Sequence, residues 1–105
     1  MKFLTMVSAG VALIGVAASA QAQDQEALYV KSLAATCANC HGTNGKATEG
    51  SSVTSLAGLD KNYTIAQMKA FKTGARPATV MHQISKGYSD AQIDSLATYF
   101  AAQKK

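Results

Sequence analysis

The chain has no Trp, one Pro and two Cys among 105 residues, and only seven per cent of it is aromatic. Alanine and glycine stand where bulky side chains would otherwise be, so its own residues can build only a thin core, and a short chain of this kind often needs a covalent or metal staple. Two cysteines rule out a four-thiolate zinc site. Ten Lys plus Arg against six Asp plus Glu give a net charge of +4, too small and too scattered to argue for nucleic acid. There is no internal repeat, no charge block and no low-complexity linker. No Gly-rich nucleotide fingerprint follows a strand, so a flavin has no site here and would have to be on another polypeptide. At this length there is room for one domain.

The N-terminus has its own pattern. Lys2 precedes an uncharged apolar run over 3–20, and Ala20-Gln21-Ala22 places small residues where a signal peptidase reads, followed at once by polar QDQE. Residues 1–22 therefore read as a cleaved secretory signal and 23–105 as the mature domain. The alternative is an uncleaved anchor, since the run is borderline for the roughly 20 residues of a spanning helix. No Cys lies near the cut, so a lipid anchor at a new N-terminal Cys is excluded. The expected compartment is the periplasm, with no membrane anchor after cleavage.

In the rest of the chain the apolar spacing is helical. Ala27, Leu28, Leu33 and Ala34 predict a helix over 24–35, with Asp24 and Glu26 in its first turn. The Gly/Ser/Thr-rich stretch 42–58 reads as a loop. Asn62 or Thr64 is the expected cap of a helix running to about 72, carrying Ile65, Met68 and Phe71, with Gly74 and Pro77 ending it. ATVMHQISKG (78–87) predicts one or two helical turns. Ser89 and Gln92 form a capping box for a last helix whose Ile93, Leu96, Ala97 and Phe100 share one face, with Lys104 and Lys105 suited to its C-terminal dipole. No segment alternates with period two, so the fold class is all-α.

The chemistry is concentrated in TCANCHGTNG, 36–45. C-x-x-C-H is the attachment signature of a c-type haem. Residues three apart on a helical turn project to one side, so Cys37 and Cys40 can both add to the porphyrin vinyl groups. His41, next along the turn, then presents an imidazole to the iron. The alternatives are weaker. Structural zinc needs four ligands, and no second ligand pair accompanies His41 and His82. A thioredoxin-like pair wants a βαβ context, and a plain disulfide leaves His41 unexplained. For the other face of the iron, His/Met ligation is the electron-transfer arrangement. Met68, in phase with Ile65, reads as core filler. Met81, past the turn at Gly74 and Pro77 and about forty residues beyond His41, is the favoured sixth ligand, with His82 as a competitor. Tyr63, Tyr88 and Tyr99 are candidate haem-propionate partners, packing being the plainer reading of each. Lys46, Lys61, Lys69, Lys72 and Lys86 are candidates for a docking ring, a solvated surface being as good a reading.

CANCH, the later RPATVMHQI and the terminal ATYFAAQ together resemble a class I c-type cytochrome across the whole mature segment. AFKTGARPATVMHQISKGYSDAQIDSLATYFAAQ is similar to the haem subunit of flavocytochrome c sulfide dehydrogenases and to related small cytochromes. The resemblance implies one covalent haem c on Cys37 and Cys40, axial ligands His41 and Met81, and N- and C-terminal helices crossing beside the haem. It also implies an electron carrier rather than an enzyme, working with redox proteins such as a flavoprotein sulfide dehydrogenase subunit or a terminal oxidase. A haem enzyme or gas sensor with an open sixth site, and a haem-free thiol or zinc protein, are the competing readings. The family often carries a proline whose carbonyl meets the proximal histidine; Thr54 stands near that position here.

If a porphyrin is the largest apolar object in the core, replacing both Cys37 and Cys40 with Ala leaves a largely unfolded chain. Far-UV circular dichroism checks this, and native helicity in the double variant refutes it.

Overall fold

The computed structural model describes the backbone from residue 2 and the side chains of 19–105. Five α-helices follow one another: α1 Lys2–Ala35, α2 Ala38–His41, α3 Lys61–Thr73, α4 Met81–Lys86 and α5 Asp90–Ala101, with a single 3-10 turn, Thr43–Gly45, after α2. Among the described residues there is no strand, so the all-α expectation holds.

α1 runs on through residues 22 and 23 without a break, whereas the expected helix began at 24. Ala-Gln-Ala-Gln over 20–23 contains nothing that stops a helix, so Asp24 and Glu26 lie mid-helix rather than in a first turn. The signal expectation for 1–22 falls mostly outside the described side chains. Among the described residues no helix is long and apolar enough to cross a membrane.

The start of α3 differs from expectation in an instructive way. Its cap is Asp60, whose carboxylate accepts from the Tyr63 amide at 2.9 Å. Asn62 and Thr64 fall inside the helix, and the buried Thr64 hydroxyl has no hydrogen-bond partner. An Asp at N-cap reaches the N3 amide and adds charge at the positive end of the dipole, which residues further in cannot do. The far end follows the sequence: Gly74 takes the left-handed conformation, φ 82°, and its amide returns to the Phe71 carbonyl. α5 has the expected capping box, with the Gln92 amide on Ser89 Oγ (3.1 Å) and the Ser89 amide on Gln92 Oε1 (2.9 Å). It ends at Ala101, before Lys104 and Lys105, so neither lysine occupies its last turn.

α1 packs against α5, and α3 against both α4 and α5. The expected face of α5 is the core: Ile93, Leu96, Ala97 and Phe100 are buried together with Ala34 of α1 and Ala57 of the loop. Half of those six side chains are alanine, so little apolar area is removed from water. Leu33, Leu56, Tyr88 and Tyr99 border the cluster. Tyr99 meets Phe100 edge to face at 5.3 Å.

The 42–58 loop is held to α5 through Gly45. That residue is buried with φ 75°, and a Cβ there would lie 2.7 Å from Phe100 Cδ1 and 2.8 Å from Leu56 Cβ. Both the left-handed backbone and the approach of Phe100 demand glycine. Gly45→Ala is expected to destabilise the protein by roughly 2–4 kcal/mol, from the conformational cost together with overpacking. Urea denaturation measures it, and a loss under about 0.5 kcal/mol, typical of an innocuous surface change, contradicts the packing described.

Candidate functional site

α1 ends at Ala35 and the chain turns through Thr36 and Cys37 into α2, a single turn made of Ala38, Asn39, Cys40 and His41. The amides of Cys40 and His41 both return to the Cys37 carbonyl, at 3.3 and 2.9 Å. That compact turn brings the three predicted residues together. Cys37 is half-buried and Cys40 exposed, and no disulfide joins them. Burial pushes the Cys37 thiol up from its ordinary value, with the Thr36 hydroxyl acting in the opposite direction. Cys37 packs against the cluster of Ala34, Leu96 and Phe100.

His41 is buried, at 9 % exposure. Its Nδ1 lies 2.7 Å from the Thr54 carbonyl oxygen. A carbonyl only accepts, so Nδ1 carries the proton and Nε2 carries the free lone pair. The ring is therefore held in the tautomer and orientation of a metal-binding imidazole, with its second nitrogen already satisfied. Thr54 supplies this bond from its main chain, so the absence of a proline at this position leaves the contact intact.

The other candidates sort unevenly. Met81 opens α4 and is half-buried. No hydrogen bond joins it to the His41 turn. It lies one helical turn before Ser85, on the same side of α4, and Ser85 is fully buried. The Ser85 hydroxyl donates to Met68 Sδ at 3.6 Å. Met68 thus meets Ser85 at the α3–α4 junction. His82 is half-buried rather than fully on the surface, and its Nδ1 is buried without a partner.

Two of the tyrosines are taken by the protein itself. Tyr88 OH lies 3.0 Å from Thr36 Oγ1, and Tyr99 OH donates to Asn44 Oδ1 at 2.7 Å; Tyr63 is half exposed. Two of the lysines have partners within the protein. Lys61 pairs with Asp94 at 3.1 Å, and Lys72 donates to the Tyr88 carbonyl and lies 3.9 Å from Asp90. Sequence reasoning had no signal for the Tyr88–Thr36 contact, which joins residues 52 apart. That bond ties the segment after α4 to the residue before Cys37, and so links the two halves of the candidate site.

No group of three or more His, Cys, Asp or Glu side chains among the described residues is placed to hold a metal ion. The donor set does fit a haem c: two thiols on one turn, a buried imidazole with its outer nitrogen anchored, and too small a side-chain core for the length of chain.

Comparison with known proteins agrees. The family model described as cytochrome c oxidase, cbb3-type, subunit III matches residues 20–100. The chain belongs to the cytochrome c family. It is 32 % identical over 97 % of its length to a thiosulfate dehydrogenase electron acceptor of Stutzerimonas stutzeri, of which it covers 49 %. It is 37 % identical over 70 % of its length to the cytochrome subunit of sulfide dehydrogenase of Chlorobaculum tepidum, covering 64 % of that protein. Among solved structures, cytochrome c4 of Acidithiobacillus ferrooxidans superposes with a TM-score of 0.59 at 35 % identity, over 63 % of this chain and 37 % of that one. The chain thus spans between about a third and two-thirds of these relatives. Membership of the family makes haem c, covalently bound, the cofactor of this cytochrome, and its relatives are electron-transfer cytochromes or cytochrome subunits.

Tyr88→Phe removes one hydroxyl from the link across the site and leaves the ring packing in place. It is expected to lower stability by about 1 kcal/mol, the usual worth of one such hydrogen bond, read as a shift of the urea midpoint. An unchanged midpoint contradicts a supporting role for that contact.

Proposed function

We propose that this cytochrome is a periplasmic single-electron carrier with one haem c, held covalently by Cys37 and Cys40 and ligated by His41 and Met81. The observation that carries the reading is the buried His41, with Nδ1 on the Thr54 carbonyl and Nε2 left free. When bound, the haem supplies a one-electron iron couple whose potential the protein tunes.

The chain's own residues do the rest. Thr54 fixes the imidazole tautomer and strengthens it as a donor. Cys37 and Cys40 hold the group at two points on the same turn, so that His41 has one approach to it. Of the two methionines after residue 22, Met68 is engaged by Ser85, which leaves the Met81 thioether for the second axial position. A soft thioether opposite an imidazole favours the reduced state, as suits an acceptor of electrons. With His41 and Met81 both given to the haem, the site would leave no position for a substrate.

The N-terminal pattern supports export, and thereby attachment of the haem in the periplasm. The working partners are redox proteins. The likeness to a sulfide dehydrogenase cytochrome subunit supports a flavoprotein that oxidises sulfide as one such partner, and a terminal oxidase is the corresponding electron sink. On that reading catalysis belongs to the partner.

Absorbance of the purified holoprotein is the test. Low-spin bands, the weak near-infrared band of a methionine–iron bond and no response to carbon monoxide are expected. Met81→Ala abolishes the near-infrared band and admits carbon monoxide, whereas Met68→Leu changes neither. A wild-type protein that is high-spin and binds carbon monoxide promptly overturns the carrier reading in favour of a haem enzyme or gas sensor.

A further inference from the structure

Thr54 anchors His41, but its own side chain does not anchor Thr54. The residue is exposed, and among the described residues neither its amide nor its hydroxyl makes a hydrogen bond. The carbonyl that meets His41 belongs to the peptide unit shared by Thr54 and Ser55, a rigid plane that ends at the Ser55 Cα. Whatever fixes Ser55 therefore restrains one end of that plane and, with it, the swing of the carbonyl.

Ser55 is fixed by two hydrogen bonds. Its Oγ donates to the Gly45 carbonyl at 2.8 Å and accepts from the Ala47 amide at 3.2 Å. The same Gly45 carbonyl accepts from the Leu56 amide at 2.7 Å and the Ala57 amide at 3.0 Å. Gly45 is in turn wedged beneath Phe100 of α5, and the Gly58 amide bonds the Phe100 carbonyl at 2.8 Å. Residues 55–58 are thus clamped between the turn that follows His41 and the C-terminal end of α5. Within the clamp, Ser55 is the sole side chain that bonds it, and it does so next to the carbonyl that matters.

We propose that Ser55 is a positioning residue for the proximal histidine. Its hydroxyl holds the Thr54 carbonyl on His41 Nδ1 and so sets how strongly the imidazole donates to the iron. This role rests on the reading of His41 as an axial ligand. Loss of the hydroxyl leaves the Leu56 and Ala57 bonds in place but lets the 54–55 peptide plane rotate. The Nδ1–H bond then lengthens, the imidazole becomes a poorer donor, and the oxidised state loses more than the reduced one.

The test uses the holoprotein, after its wild-type spectrum has established low-spin histidine ligation. In Ser55→Ala, the His41 Nδ1 proton is expected to exchange with solvent several-fold faster by NMR. The reduced form is expected to gain over the oxidised by up to about tenfold, which is ~59 mV upward for one electron. Ser55→Thr keeps the hydroxyl and restores both values. A folded, low-spin Ser55→Ala protein with wild-type exchange and potential overturns the proposal. Should that variant not fold, Ala47→Pro decides. It deletes the amide that donates to Ser55 Oγ, and Lys46 before it is already extended, φ −88° and ψ 101°, as a residue preceding proline must be. A smaller change in the same direction is expected from Ala47→Pro, and none at all sinks the role. A wild-type protein without histidine-ligated low-spin haem overturns the carrier reading itself, and this role with it.

Discussion

The hydrogen bond from His41 Nδ1 to the Thr54 carbonyl is the contact on which the site depends. A buried imidazole with one nitrogen satisfied has one tautomer, one orientation and one free lone pair. To supply the acceptor, the chain has to return to His41 thirteen residues later through a loop with almost no regular structure. That return has to be braced. The brace is Gly45, tied to residues 55–57 by its carbonyl and overlaid by Phe100. The last helix of the chain therefore governs the geometry of a histidine near its middle. In so small a protein the core and the site are one construction.

The composition explains why this has to be so. Among the described residues six apolar side chains are buried and three of them are alanine, while Val80, which caps α4, and Ile84 within it are 55 % and 39 % exposed. Burial alone contributes modestly here, so the loops rely on individual hydrogen bonds such as Tyr88 to Thr36 and Tyr99 to Asn44. Haem c, the cofactor of the family, is the largest apolar group such a fold can gather. Cytochromes of this size make the group that transfers the electron part of what holds the chain together.

Local signals in the sequence carried well where the cause was local. The capping box of α5 needs only Ser89 and Gln92, the end of α3 needs only Gly74, and the buried face of α5 follows from a 3.6-residue period. The cap of α3 was misplaced because several cap-forming residues stand within five positions, and only the path of the backbone selects Asp60. The tyrosines were legible as polar aromatics near the site, but not as partners of Thr36 and Asn44, since those contacts join residues more than fifty apart. Lys61 and Lys72 likewise looked free until the fold set Asp94 and Asp90 beside them.

By itself the sequence determined the cofactor and the turn that takes it. Cys37, Cys40 and His41 are within one helical turn, so their spacing is their geometry. It also determined an all-helical chain, because period and caps are read over a few residues. The tertiary structure decided that the Thr54 carbonyl reaches His41 without a proline, that Ser55 and Gly45 tie the return of the loop, and that Met68 meets Ser85 at the α3–α4 junction. Each of these depends on where segments distant in the chain come to lie, and no pattern along a single helix or loop encodes that.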